Sequence, residues 1–219
     1  MEINVKDIQL KAIPAPMANA FVKRWHYSGK VVPNSQLHFG AFYNDILHGV
    51  MSFGASINKK GTVNLVAGTG WNGFTELNRM AFDDYLPKNS ESRCLAIALK
   101  LIKRNAPHIK WVISFADATQ CGHGTIYMAS GFKLVGIAKN TSLRTSPKTG
   151  ENIHVIQAHH LKITNEWKTW PAIPGYQLKY IYFIDKSMAS KLTVPVIPFS
   201  EIEKRGISMY KGHSVAKTT

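Results

Sequence analysis

Apolar and polar positions along this chain fall into alternating strand-like and helical rhythms. Ile3 to Ile13 alternates β-branched with polar residues and predicts a strand, closed by Pro14-Ala15-Pro16. Pro16 suits the first turn of a helix, and Met17, Phe21, Val22 and Trp25 then recur at helical spacing up to His26. Ser28-Gly29-Lys30 and Pro33-Asn34-Ser35 mark a loop. Beyond it the runs His38–Tyr43 and Leu47–Ser52 flank Asn44-Asp45-Ile46 and predict a β-hairpin. A strand centred on Thr75–Met80 follows, and Ser90 is placed to N-cap a helix with apolar positions Leu95, Ala96, Ala98, Leu99 and Ile102, ending before Pro107. Trp111–Ala116 is almost continuously apolar, the pattern of a strand buried on both faces.

After Asp117 and a Gly-containing turn, Thr125–Ala129 predicts a short helix closed by Gly131. Phe132–Ala138 and Ile153–Ala158 predict two more strands, with Lys139–Thr149 as a polar, basic loop between them. The order β-α-β-β-β-α-β-α-β-β is a mixed α/β pattern. From Trp167 onward, Pro171, Pro174, Pro195 and Pro198 interrupt the chain, leaving one strand-like run at Tyr180–Ile184. The expected organisation is one domain over residues 1–165 and an extension over 166–219 packed on it, with a flexible tail from about residue 206.

Composition narrows the class. At 219 residues and 45% hydrophobic content, the chain has material for a substantial core, which excludes global disorder. No stretch approaches the ~20 apolar residues that cross a bilayer. Met1–Gln9 holds Glu2 and Asp7 where a secretion signal would be basic and then apolar, so neither secretion nor membrane insertion is expected. Cys94 and Cys121 give no disulfide framework and no CxxC spacing, which fits a reducing cytoplasm. Lys and Arg number 27 against 13 Asp and Glu, a net charge of +14 that points to a polyanionic partner. Residues 161–219 carry +5 and residues 1–160 carry +9, so the charge belongs to the folded body and not to a detachable arm.

The element order, and the run from Asp117 through Tyr127 to Gly131-Phe132, resemble the second half of the GNAT acetyltransferase fold. There a buried strand leads to a helix carrying a tyrosine, and a Gly-Phe pair opens the next strand. The fold class this implies is a mixed, mainly antiparallel sheet flanked by helices, with the C-terminal extension added. A second set of residues resembles one branch of that superfamily, the Mom DNA-modification proteins of Mu-like phages. It comprises Arg24-Trp25-His26-Tyr27-Ser28-Gly29-Lys30, the hairpin Gln36–Ser52, Glu76-Leu77-Asn78-Arg79-Met80, Asp117 and Tyr127, and spans roughly residues 15–160.

The resemblance implies a transferase that converts adenine in phage DNA to N6-carbamoylmethyladenine in the host cytoplasm, protecting the DNA from restriction enzymes. It implies iron (Fe2+ or Fe3+) near the cofactor pocket; acetyl-CoA is one candidate donor, its methyl group functionalised by the iron before N6 attacks. Plain thioester aminolysis would leave a carbonyl on N6, whereas this product carries a methylene there, so a glycine-derived donor is the alternative. The expected partner is double-stranded DNA with the adenine flipped out, and a second copy of the chain is left open.

Individual residues have structural readings beside functional ones. His26 and Tyr27 read by themselves as a helix C-terminal histidine and a packing tyrosine; the resemblance implies that they ligate iron, with Tyr27 also catalytic. Asp117, at the C-terminal end of a buried strand, reads equally as a turn residue, a metal ligand or a group orienting one. Tyr127 is a core tyrosine or, as in acyltransferases, the proton donor to the leaving thiolate. Arg79 can clamp an anion bidentately, and Ser92, Lys88 and Arg93 can join it at the next helix start. That turn has no glycine, and Glu91 lies within it, which disfavours a bound pyrophosphate. Lys23, Arg24, Lys30, Lys59, Lys60, Lys139, Arg144 and Lys148 are candidate phosphate contacts; each singly also reads as a solvated surface charge. Two other classes remain in view: a conventional GNAT acyltransferase on RNA or a small molecule, and a non-catalytic DNA-shielding protein.

Overall fold

The computed structural model describes residues 3–119 and 122–207. Its strands are β1 (Gln9–Ala12), β2 (Ser35–Tyr43), β3 (Ile46–Gly54), β4 (Phe74–Phe82), β5 (Trp111–Asp117), β6 (Lys133–Lys139), β7 (Leu143–Thr145), β8 (Asn152–His154) and β9 (Tyr176–Phe183). Its helices are α1 (Ala15–Trp25), α2 (Lys59–Val63), α3 (Ser90–Asn105), α4 (Thr125–Ala129), α5 (Val155–His160), α6 (Thr164–Trp167) and α7 (Ser200–Lys204). Seven strands form one sheet in the order β1-β2-β3-β4-β5-β9-β6, and β7 pairs with β8 apart from it. Every pairing in the large sheet is antiparallel except β4 with β5, which α3 connects. The architecture is thus the expected mixed, mainly antiparallel sheet flanked by helices.

Local chemistry explains most boundaries. Asn44 and Asp45 both adopt positive φ, 48° and 60°, the two-residue turn whose twist suits a hairpin, so β2 and β3 form as expected. Pro14 and Pro16 start α1, and His26 ends it, its N–H still bonded to Val22 O at 3.0 Å. Ala18, Phe21 and Val22 of α1 pack on Val50 and Ala81, on one face of the sheet. On the other face α3 lays Leu95, Ala98, Leu99 and Ile102 against Met51, Leu77, Val112 and Ala116.

Four local expectations change. The first strand shrinks to β1, preceded by a 3-10 turn at Val5–Asp7. Asn89, at φ 72°, occupies the N-cap position of α3; Ser90 lies one residue inside, its hydroxyl donating to Pro87 O at 2.6 Å. Ile153–Ala158 is mostly helix: β8 ends at His154, whose Nδ1 accepts the Ile156 N–H at 3.2 Å and starts α5. The loop after Lys139 contains β7.

Two findings concern the C-terminal third. Residues 140–175, between β6 and β9, build a small body with its own core of Ile153, Ala158, Trp167 and Trp170. The Arg144 guanidinium lies 5.0 Å from the Trp167 ring centroid and donates to Trp170 O, holding β7 on that core. The run expected at Tyr180–Ile184 belongs to β9, which lies inside the sheet between β5 and β6. Part of the extension expected from residue 166 therefore completes the main sheet. The tail expected from about residue 206 falls outside the described residues except for 206 and 207.

Candidate active site

The site begins with a defect in β4. Phe53 pairs with Leu77 but Ser52 pairs with Arg79, so Asn78 is an extra, bulged residue. The β4–β5 ladder stops at Leu77↔Ser114, although β4 continues to Phe82 and β5 to Asp117. Beyond that pair the two parallel strands diverge and open a cleft in the sheet. Glu76 lies opposite Ile113 in the ladder, and Ile113 faces away from the α3 core, so Glu76 does too. The bulge keeps Arg79 on that same face, where α1 also lies.

Arg79 is the centre of this face. Its Nε donates to Lys30 O at 2.9 Å and its Nη1 to Asn78 O at 2.7 Å. Burial lowers its pKa, while Tyr27, Glu76 and Tyr127, all close enough to act on the guanidinium, raise it. His26 is buried at the end of α1 with its ring 4.2 Å from that of Tyr27. The Ser28 N–H donates to His26 Nδ1 at 3.1 Å, which places the ring proton of neutral His26 on Nε2. Burial, then the Arg79 charge, pushes the imidazole down to about 3.

A second wall comes from beyond the sheet. Lys30, after α1, donates to Gln157 Oε1 on α5, tying the two walls together. His154, at the head of α5, is held below the usual histidine range by burial; Asp117 opposes that shift, and Lys30 and Arg79 add to it. Asp117 accepts the Thr119 N–H at 3.0 Å. Tyr127 is buried, its ring 5.1 Å from Tyr180 and 5.4 Å from Phe132. Gly124, at φ 78°, opens α4 where a Cβ would come within 2.9 Å of both the Tyr180 and Tyr127 rings, so the approach of α4 depends on it.

The fold thus brings together His26, Tyr27, Arg79, Asp117 and Tyr127 from four separate parts of the chain. It adds three residues that sequence reading did not single out as functional: Glu76, His154 and Gln157. Glu76 is half-buried, its carboxyl raised by burial and partly countered by hydrogen bonds from Ser56 and Asn78. Its sequence signal was its place in the run Glu76–Met80 that resembles the Mom family. Arg79 is turned to this face and bonded to Lys30, whereas Ser92, Lys88 and Arg93 belong to the start of α3. Ser92 Oγ donates to Asn89 O at 3.2 Å. Cys94 is buried, its thiol pushed up to about 11, so it is no nucleophile at neutral pH.

Iron finds no assembled site among the described residues. His26 Nδ1 is engaged by the Ser28 N–H at 3.1 Å and lies 2.8 Å from the Ser28 hydroxyl, and the Arg79 charge disfavours a cation beside the ring. Asp117 turns a carboxylate oxygen onto Thr119. Among the described residues no three His, Cys, Asp or Glu side chains converge. The expectation of iron on His26, Tyr27 and Asp117 is therefore not supported.

Among the candidate phosphate contacts, Lys23, Arg24, Lys30, Lys60 and Lys139 are exposed. Lys59 donates to Asn72 and covers the Trp71 ring, and Lys148 pairs with Glu166 at 3.0 Å. Arg144 is half-buried, its guanidinium over the Trp167 ring and donating to Trp170 O.

The buried neutral histidines make a stability prediction. A histidine whose folded pKa is depressed contributes stability above its unfolded value, near 6.5, and loses it as pH falls toward the folded value. Between pH 7.5 and 5.0, His26 alone is expected to cost about 2 kcal/mol; His38 and His154, also lowered by burial, act in the same direction. Urea midpoints at the two pH values should differ less in His26→Gln than in the parent. Equal differences in the two proteins would contradict the assignment.

The chain is 37% identical over 158 residues to "Methylcarbamoylase mom" of Escherichia phage Mu, covering 72% of this chain and 64% of that protein's length. In overall shape it is similar to the ribosomal-protein-S18-alanine N-acetyltransferase of Escherichia coli (10% identity, TM-score 0.47, 81% of this chain and 94% of that one). It is likewise similar to a GNAT family acetyltransferase of Elizabethkingia anophelis with acetyl-CoA bound (12% identity, TM-score 0.43, 81% and 98%). The Mom protein family matches residues 7–201, nearly the whole of the described chain, and the protein belongs to that family.

Proposed function

We propose that this protein is a phage DNA-modification enzyme that places a carbamoylmethyl group on adenine N6, acting inside the host cell and shielding the DNA from restriction. The observation that carries this reading is the convergence of His26, Tyr27, Arg79 and Tyr127 at the β4–β5 divergence, within a chain of the Mom family. Family membership favours DNA as the substrate, and the charge of +14 suits its phosphates.

An acyl-CoA donor fits the cleft in one respect and strains it in another. Where the strands part, the β4 edge toward β5 is open to pair with an extended, amide-bearing chain. At the start of α3, Lys88 suits a phosphate, but Glu91 sits in the first turn. When bound, such a donor would supply an acyl carbon and a thiolate leaving group, which by themselves account for a carbonyl on N6 and not for the methylene of the product. The chain's own groups then divide the work: Arg79 orients an oxygen of the transferred unit, neutral His26 donates from Nε2, and the Tyr127 phenol holds the proton needed by a leaving group.

The product's methylene on N6 leaves the donor to be settled. If the unit is glycine-derived, its nitrogen bonds to C6, the C6–NH2 bond breaks and ammonia leaves, so 15N-glycine fed to expressing cells labels N6. An unlabelled N6 would rule out the glycine nitrogen as the new N6. Phosphate-dominated binding also predicts that duplex affinity falls steeply between about 50 and 200 mM salt and depends little on sequence. Salt-independent binding in a filter or anisotropy assay would contradict the DNA reading.

A further inference from the structure

Phe115 lies in β5, an interior strand with β4 on one side and β9 on the other. Its neighbours Trp111, Val112, Ile113 and Ser114 are 0% exposed and Ala116 4%, yet Phe115 is 41% exposed. Side-chain alternation explains the direction: Val112 and Ala116 face the α3 core, so Trp111, Ile113, Phe115 and Asp117 face the α1 side. The first residue of β5 beyond the last rung shared with β4 is Phe115, so its ring stands at the vertex of the cleft, across from bulged Asn78 and Arg79. On its other side its register partner is Lys179. Among the described residues no aromatic ring packs against it.

Covering a phenylalanine in mid-sheet is worth about 1.5–3 kcal/mol, and this fold covers the rest of the strand while leaving that ring open. The ring is apolar and planar, and its register partner on β9, Lys179, sets a cation beside it, while Arg79 lies on the same face of β4 two residues past the last shared rung. A flat ring attached to a phosphate chain matches both properties: the ring stacks while Lys179 meets the negative backbone. Adenine N6 is paired within a duplex, so chemistry there needs the base out of the stack, and an extruded base needs a new stacking partner.

We propose that Phe115 is the stacking floor on which the extruded adenine rests in the cleft. This rests on the DNA-modification reading and adds the binding surface for the base.

The test compares Phe115→Ala, Phe115→Leu and Phe115→Tyr with the parent, scoring modified deoxyadenosine in duplex DNA and total duplex affinity. Because the ring is half-open, all four proteins should melt alike. The expected result is a loss of about 10- to 100-fold in modification for both Ala and Leu, most of it restored by Tyr, with duplex affinity unchanged within about threefold. Leu performing as well as the parent would show that apolar bulk is enough and would overturn stacking.

A second arm needs no activity. Phe115→Trp is titrated with a pyrimidine oligonucleotide carrying one adenine, and with the same strand abasic at that position. Quenching of the added tryptophan by the adenine strand alone supports the proposal; equal quenching by both, or by neither, overturns it. If the parent leaves DNA unmodified while adenine still quenches, the stacking site stands and the reading of the reaction fails.

Discussion

Arg79→Lys is expected to lower kcat/KM for DNA modification by about 10²- to 10³-fold, the usual effect of removing one preorganised donor from a buried site. The substitution keeps the charge but loses the planar fork. That fork holds Lys30 O with one nitrogen and Asn78 O with another, which fixes the guanidinium between β4 and the loop after α1. A lysine ammonium can replace one of those bonds and not both, so the loop carrying Lys30 loses its anchor along with the transferred unit. Its bond to Gln157 on α5 weakens as well. The check is a rate measurement beside a thermal melt. A variant with near-parental rate would show that Arg79 serves only to hold the loop.

Tyr127→Phe is expected to cost about 10²- to 10⁴-fold in rate, the range for losing a positioned proton donor, with the fold intact. The ring is what the core uses, at 5.1 Å from Tyr180 and 5.4 Å from Phe132, and phenylalanine retains it. The hydroxyl is the part lost, and it belongs to the group close enough to Arg79 to act on its charge. If Tyr127 protonates a leaving group, a donor whose leaving group needs no proton should recover much of the rate. Equal losses with good and poor leaving groups would assign the hydroxyl to positioning.

What could be read from the sequence was local. The proline start of α1, the Asn44-Asp45 turn and the apolar run of β5 each declare themselves within a few residues, and the structure reproduces them. Val155 and Ile156 misled because β-branched residues favour strands, while the cap supplied by the His154 side chain starts a helix. The position of β9 was invisible: Tyr176–Phe183 enters the sheet between β5 and the edge strand β6 through pairing with a strand some 60 residues earlier. Arg144 looked like a loop cation until the body holding Trp167 and Trp170 was seen.

The site shows the same division. His26, Tyr27, Arg79, Asp117 and Tyr127 were named through the family resemblance, since nothing in their local pattern sets them apart from caps and core residues. Their convergence depends on the bulge at Asn78 and the stopped ladder at Leu77↔Ser114, both products of long-range register. Glu76 appeared only within the Glu76–Met80 run, and His154 and Phe115 only within predicted strands, because the significance of all three is a matter of burial and exposure. An open phenylalanine in an interior strand looks, in sequence, like every other apolar residue of that strand.

The central claim is that this pocket modifies adenine in DNA, and nucleoside mass spectrometry tests it most directly. DNA from cells expressing the parent, Arg79→Lys or Tyr127→Phe is digested to nucleosides and searched for deoxyadenosine bearing a carbamoylmethyl group. That nucleoside is expected with the parent, and its near-absence with both variants at equal protein levels. Unmodified deoxyadenosine alone from cells making abundant, folded parent protein would contradict it.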